Sequence, residues 1–160
     1  SQLVELVTKE GKSPKTEFVG KSAKYILDKI GITVGDDVKV ILMEAKEDHP
    51  FVQVELMMPI LPVVRVPDVD QAIEMAVRVE HGNRHTAMMH SRNVDKLTKM
   101  AKLIQTTIFV KNGPSYAGIG VGGEGYTTFT IAGPTGEGLT SAKSFARRRR
   151  CVLVGGMDVR

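Results

Sequence analysis

Thr86-Ala87-Met88-Met89-His90, the stretch from Asn93 to Ile104, and Thr107-Ile108-Phe109-Val110 follow one another with only short connections between them. The first and third are short runs of strand-forming residues. Between them Asn93 offers an N-cap, and Leu97, Met100, Ala101 and Ile104 recur at helical spacing on one face. Strand, capped helix, strand is the pattern of a βαβ unit, whose two strands run parallel because the helix carries the chain back to its starting edge. Working outward, Asp68 and Gln71 form a capping box before Val69, Ile73, Ala76 and Val77, which predicts a helix running to Glu80. Pro59 to Val66 reads as a strand, with Pro62 marking an edge or a bulge. Val38 to Met43 reads as another, after the turn Gly35-Asp36-Asp37. Ser13-Pro14 has the form of a cap followed by proline at the first helical position. Val19, Ala23, Ile26, Leu27 and Ile30 then continue a helix to Gly31. Strands alternating with helices of this length predict an α/β fold with a largely parallel sheet.

Beyond Asn112 the texture changes. Gly113 to Gly138 is dense in glycine and too long for a simple connection, which marks a functional loop or a disordered one. A short helix over Thr140 to Arg148 and a strand Cys151-Val152-Leu153-Val154 are expected to close the chain. No internal repeat is visible.

The 160 residues carry 42% hydrophobic and 25% charged side chains, a globular balance that suffices for a core without metal or disulfide staples. The net charge of +4 is a local feature. Arg147 to Arg150 hold four of the 22 basic residues, and without them 18 Lys and Arg face 18 Asp and Glu. With 5% aromatics and no Trp there is little on which to stack bases, so a nucleic-acid partner is not expected. No apolar run is long enough for a membrane span, and Ser1-Gln2-Leu3-Val4-Glu5 does not open a signal peptide. One cysteine excludes an internal disulfide and fits a reducing compartment, so the expected location is the cytosol.

Several constellations invite chemistry and fail on context. Gly118-Ile119-Gly120-Val121-Gly122-Gly123 matches G-x-G-x-x-G, but poor helix formers follow it and no acidic residue stands at a strand end about twenty positions on. Gly133 to Thr140 has the outline of a phosphate loop, with Leu139 where lysine must stand. Gly136-Glu137-Gly138 retains two readings, a backbone anion cradle or a turn needing positive φ, with the turn favoured. His81, His85 and His90 lack converging acidic or cysteine partners, so no metal site is expected. Cys151 sits in an apolar run with no nearby histidine to act as base, which favours a small packing residue over a nucleophile. Glu55 has the carboxylate that ribose hydroxyls want, although by spacing alone it reads as a solvated charge at a strand end.

Glu55-Leu56-Met57-Met58-Pro59-Ile60-Leu61-Pro62-Val63 resembles the Glu-x-Phe-Gly-Pro-Val-x-Pro-Val segment of the aldehyde dehydrogenase superfamily, with Met57 and Met58 in place of Phe-Gly. The order continues as in that family through His81-Gly82-Asn83 and Ile108-Phe109-Val110-Lys111-Asn112-Gly113. Ile131 to Thr140 with Ser144-Phe145-Ala146-Arg147-Arg148 is closer to the CoA-acylating branch, that of ethanolamine and propanediol utilisation. The resemblance covers about Glu55 to Val154.

This resemblance implies a three-layer open sheet with helices on both faces. Residues 1–145 would be part of a catalytic domain and 146–160 a closing strand of the oligomerisation type, giving a homo-oligomer. It implies NAD-dependent oxidation of a short aldehyde, acetaldehyde or propionaldehyde, through a thiohemiacetal and a thioester passed to coenzyme A. Glu55 would hold the nicotinamide ribose beside Met57, and Asn112 and Gly113 would line the aldehyde and acyl tunnel. Cys151 matches the closing strand rather than the nucleophile. No residue here then carries the covalent step, and these residues alone are expected to be inactive. The arginine run would flank a subunit contact or a CoA phosphate, or form a solvated face. A cytoplasmic enzyme, housed in a bacterial microcompartment, follows from the same branch. The rival readings are a non-catalytic α/β module binding an anion or a phosphorylated ligand, and a piece that serves mainly in assembly.

Overall fold

The computed structural model describes residues 2–125, 131–132 and 138–155, which form two compact units, Ser1–His81 and Gly82–Arg160. In the first, helix α1 (Gln2–Val7) runs into a hairpin of β1 (Thr8–Lys9) and β2 (Ser13–Pro14), paired antiparallel. Helix α2 (Ala23–Asp28), strand β3 (Ile41–Glu44), helix α3 (Pro50–Gln53), strand β4 (Ile60–Val63) and helix α4 (Val69–Val79) follow. Strands β3 and β4 are parallel, with Ile41 opposite Ile60 and Met43 opposite Pro62. Pro62 is tolerated because, among the described residues, this sheet has two strands and both are edges.

The N-terminal helix differs from its expected form. Ser13-Pro14 is a strand, not a cap, because the chain has already turned at Glu10 and Gly11, both at positive φ. Thr8 fixes that turn: buried at 2% exposure, its hydroxyl donates to the Val4 carbonyl and accepts from the Gly11 N–H at 3.0 Å. A 3₁₀ turn over Thr16–Phe18 follows, and Gly20 at φ +72° ends the run. The helix is then capped by Ser22, whose hydroxyl accepts from the Tyr25 N–H at 3.2 Å. It stops before Gly31 at φ +77°, as expected.

The core of this unit is one cluster of Val7, Phe18, Ile26, Phe51, Leu56 and Ile60, with Ile41 and Met43 packed against it. The strand alternation sends Leu42 to the other face, where it is 63% exposed. Strand β3 begins at Ile41 rather than Val38, since the turn at Gly35 still holds Val38 through a 3.3 Å hydrogen bond. Asp68 caps α4 as read from the sequence, its carboxylate accepting from the Gln71 N–H at 2.9 Å. The Gln71 side chain donates to the other carboxylate oxygen at 3.0 Å instead of reaching the Asp68 main chain. Near the far end of α4, Arg78 forks onto Glu47 with contacts of 2.8 and 3.1 Å.

The second unit is the βαβ element read at the outset. Strand β5 (Thr86–Met89), helix α5 (Val94–Ile104) and strand β6 (Ile108–Lys111) are in order, and the strands are parallel with Thr86 opposite Ile108 and Met89 opposite Lys111. Asn93 caps α5, accepting from the Lys96 N–H at 3.0 Å, and Leu97, Met100 and Ile104 are its buried face. A 3₁₀ helix over Ser115–Ile119, the antiparallel pair β7 (Ile131–Ala132) and β8 (Gly138–Leu139), and a 3₁₀ turn over Ala142–Phe145 complete it. The expected helix from Thr140 to Arg148 is thus only that turn, boxed by Ser141 and Ser144. The expected strand Cys151–Val154 does not form: Val152, Leu153 and Val154 are 65%, 67% and 87% exposed in irregular chain. A strand exists only through its pairing, and among the described residues none pairs with this segment. The α/β class with parallel strand pairs is as expected, and no helix of the described residues is long and apolar enough to cross a membrane.

Two outcomes follow from this packing. Ile26→Ala empties a site that is fully buried and should cost about 2–4 kcal/mol in urea unfolding, against a change within about 0.5 kcal/mol for Leu42→Ala on the open sheet face. The second concerns pH. The Gln71 main-chain N–H, and then its side chain, hold the Asp68 carboxyl below its ordinary value. A carboxyl depressed in the folded state stabilises fully above its unfolded value and loses that contribution as pH falls through the folded one. Asp68→Asn keeps a capping acceptor without the charge, so stability measured from neutral to acid pH should fall less steeply in the variant.

Candidate functional site

The loop between α3 and β4 carries the first two predicted site residues. Leu56, at 5% exposure, is driven into the core and anchors the loop, which leaves Glu55 and Met57 on either side of it facing outward. One Glu55 carboxylate oxygen accepts from the Met57 N–H at 2.9 Å. That bond closes a tight turn with Met57 at φ +53°, a left-handed conformation for a residue with a Cβ. The Met57 carbonyl accepts from the Gly20 N–H at 3.1 Å and so ties the loop to the start of α2. The Met57 side chain is 57% exposed, held out by its backbone rather than left out by chance.

Beneath Met57 lies an open groove of about 620 Å³. Met57, Met58 and Pro59 give it an apolar wall, and Lys21, Lys24 and Lys39 a basic one. Asp36 organises the lysines: its carboxylate meets the Lys24 ammonium at 3.0 Å, and its main-chain carbonyl accepts from Lys39 at 2.5 Å. Lys21 sits 5.5 Å above the Tyr25 ring. Three cations against one carboxylate, next to an apolar wall and an exposed glutamate, suit a ligand with an apolar ring, hydroxyls and an anionic group. Sequence reading missed these lysines because it began the helix at Ser13. With the cap at Ser22, Lys24 falls in the first turn and Lys21 just before the cap, and both line the groove beside the loop.

Asn112 and Gly113 belong to the other unit, at the carboxyl end of β6, the edge of a parallel sheet at which ligands bind. Asn112 is left-handed at φ +57°. Its main-chain N–H donates to Met89 at 3.0 Å, its side-chain oxygen accepts from the Ser91 N–H at 2.7 Å, and its side-chain NH₂ donates to the Ser91 carbonyl at 2.9 Å. Gly113 packs closely, since a Cβ there would come within 3.3 Å of Val110. The glycine series beyond is also a packing device. A Cβ on Gly118 would collide with the Ile108 side chain, and one on Gly123 would lie 2.8 Å from the Ala117 carbonyl. Gly118 and Ile119 end a 3₁₀ helix instead of opening an α-helix, so the dinucleotide reading fails on structure as it did on context. Gly133 to Glu137, and with them most of the phosphate-loop outline and the candidate anion turn, lie outside the described residues. Cys151 is exposed. Among the described residues no three His, Cys, Asp or Glu side chains gather as a metal would need, and His85 instead meets the Thr86 hydroxyl at 2.7 Å.

Residues 38–137 match the model of the aldehyde dehydrogenase family. The chain is 53% identical over 143 residues to the acetaldehyde dehydrogenase (acetylating) EutE of Salmonella typhimurium, covering 89% of this chain and 31% of that protein. Among solved structures, it is similar to the Rhodopseudomonas palustris propionaldehyde dehydrogenase with bound CoA and an acylated cysteine. Identity there is 69% with a TM-score of 0.88, over 99% of this chain and 36% of that one. A propionaldehyde dehydrogenase from the Clostridium phytofermentans fucose utilisation bacterial microcompartment is 51% identical with a TM-score of 0.85, again over 99% of this chain and 36% of that one. The chain spans about a third of the length of the curated relatives it matches.

The strained Met57 backbone makes its own prediction. Met57→Gly should raise stability by about 1 kcal/mol in urea unfolding, because glycine adopts the left-handed turn without the Cβ penalty. A loss of stability would mean that the side chain packs to greater effect than its exposure indicates.

Proposed function

This chain belongs to the aldehyde dehydrogenase family, and we propose on that premise that the complete polypeptide carrying it oxidises a short aldehyde to an acyl-CoA with NAD. The observation that carries this reading is the 69% identity, over 99% of the chain, to a propionaldehyde dehydrogenase crystallised with CoA and an acylated cysteine. The substrate is then an aldehyde of two or three carbons, the acetaldehyde or propionaldehyde of its relatives. Both relatives are enzymes, which disfavours a non-catalytic binding module.

The residues present fit a pyridine nucleotide. Glu55 presents an exposed carboxylate bonded to Met57, which lines a groove that is apolar on one wall and basic on the other. When bound, the nicotinamide supplies the hydride acceptor. Glu55 orients it by accepting from ribose hydroxyls, its own position fixed by the Met57 N–H. The exposed Met57 side chain stands where the family motif has phenylalanine and gives a soft apolar surface against a ring. Asn112 and Gly113 border the aldehyde and acyl tunnel at the sheet edge. No residue of this chain is assigned the covalent step; the walls and the cofactor contact are its contribution.

The 146–160 segment, of which 156–160 lie outside the described residues, is read as the closing strand, distinct from the 1–145 part of the catalytic domain, and it completes an edge in a homo-oligomer. Its exposed Val152, Leu153 and Val154 support this, because such a run is costly to leave in water. The arginine run is a solvated face beside that contact. The microcompartment origin of one close structural relative supports the same location for this protein.

Two measurements test the reading. In the complete polypeptide, Glu55→Gln should lower kcat/KM for NAD about ten-fold, since a neutral amide replaces a charged acceptor of two hydroxyls; unchanged NAD dependence would remove Glu55 from the cofactor site. Deleting Cys151 to Arg160 should shift the light-scattering mass to smaller species, and an unaltered mass would place the segment outside the subunit contact.

A further inference from the structure

Asn112 commits both its side-chain oxygen and its side-chain NH₂ to the main chain of Ser91. In a parallel ladder a residue donates its N–H to one neighbour on the adjacent strand and accepts at its main-chain carbonyl from the residue two further along. Asn112 makes the first bond in the ordinary way, to Met89 at 3.0 Å. The second partner is the Ser91 N–H, and here the acceptor is the Asn112 side-chain oxygen, at 2.7 Å. The side-chain NH₂ adds a return bond to the Ser91 carbonyl at 2.9 Å. The amide therefore stands in for a main-chain peptide. It extends the β5–β6 ladder beyond its last paired residues, Met89 and Lys111, while the Asn112 main chain is released to turn left-handed at φ +57°.

We propose that Asn112 is a positioning residue for the aldehyde tunnel: it sets the direction in which the 113–125 loop leaves the sheet by clasping Ser91, and it does not meet the aldehyde with its side chain. The inference rests on the function proposed above. Only an amide of this length satisfies the clasp. A carboxylate at 112 would set an acceptor against the Ser91 carbonyl, and a glycine would keep the turn without the clasp. Gly113 follows at close quarters to Val110, and Gly118 must sit against Ile108, so a change in the exit direction is passed to the loop instead of being absorbed.

The test uses Asn112→Asp and Asn112→Gly in the complete polypeptide, with propionaldehyde and longer straight-chain aldehydes as substrates. The Ser91 amide should exchange slowly in the parent and at least about ten-fold faster in both variants, as expected for a lost hydrogen bond. The aldehyde KM should rise about ten-fold in both and the preference for short chains should weaken, with the KM values for NAD and CoA unchanged. An Asn112→Gly variant that behaves as the parent would overturn the proposal, since the left-handed backbone alone would then suffice. So would a uniform loss across all substrates together with the melting temperature, the mark of a merely structural role. If the parent itself turns over no aldehyde, the functional reading fails, and the Ser91 exchange still decides whether the clasp exists.

Discussion

Two parallel strands cannot be joined by a tight turn, and that constraint arranges each half of this molecule. From β3 to β4, and again from β5 to β6, the chain must cross back through a helical segment, so both strands of a pair release their chains at the same edge. The residues with chemical interest in the second unit, Ser91 and Asn112, are the ones released there. In the first unit the crossover itself carries them: α3 is short, and the loop after it must bring Leu56 into the core before β4 begins at Ile60. With Leu56 fixed inward, its neighbours Glu55 and Met57 are fixed outward. The outward position of Glu55 and Met57 is a by-product of where an apolar side chain had to go.

The βαβ element was legible because each signal was local and mutually consistent. Asn93 caps, four apolar residues share a face, and the flanking runs are short and β-forming. The N-terminal segment was misread because two local signals competed there. Ser13-Pro14 is a good local signal for a helix start, but Thr8, anchored to the Val4 carbonyl, holds the Glu10–Gly11 turn by accepting from the Gly11 N–H, and the following residues are drawn into strand pairing. The hydrogen bonds of this turn and hairpin outweighed a cap preference worth about 1 kcal/mol. The closing segment shows the limit of reading alternation. Cys151 to Val154 has the composition of a strand, yet pairing energy comes from a partner, and the described residues supply none.

The candidate site divides in the same way. Glu55 came from a motif, and its spacing alone gave a solvated charge; the structure adds the bond to Met57 and the groove behind it. The lysines of that groove were invisible until the start of α2 was known, because their convergence depends on a fold-level return of Asp36 and Lys39 toward Lys24. The glycine loop was legible as a loop. That Gly118 answers to Ile108 and Gly123 to Ala117 needed atomic positions.

Asn112 is followed by glycine, and Asn-Gly is the dipeptide in which an asparagine side chain is most exposed to attack by the next main-chain nitrogen, closing a ring and shedding ammonia. Asparagine is for this reason among the thermolabile residues. Ring closure needs the side-chain carbonyl carbon to swing toward the Gly113 nitrogen, and the two bonds to Ser91 hold it elsewhere. The same clasp that shapes the loop therefore lengthens the chemical life of the protein at its most perishable peptide, and it ties covalent ageing to the integrity of one rung of hydrogen bonds.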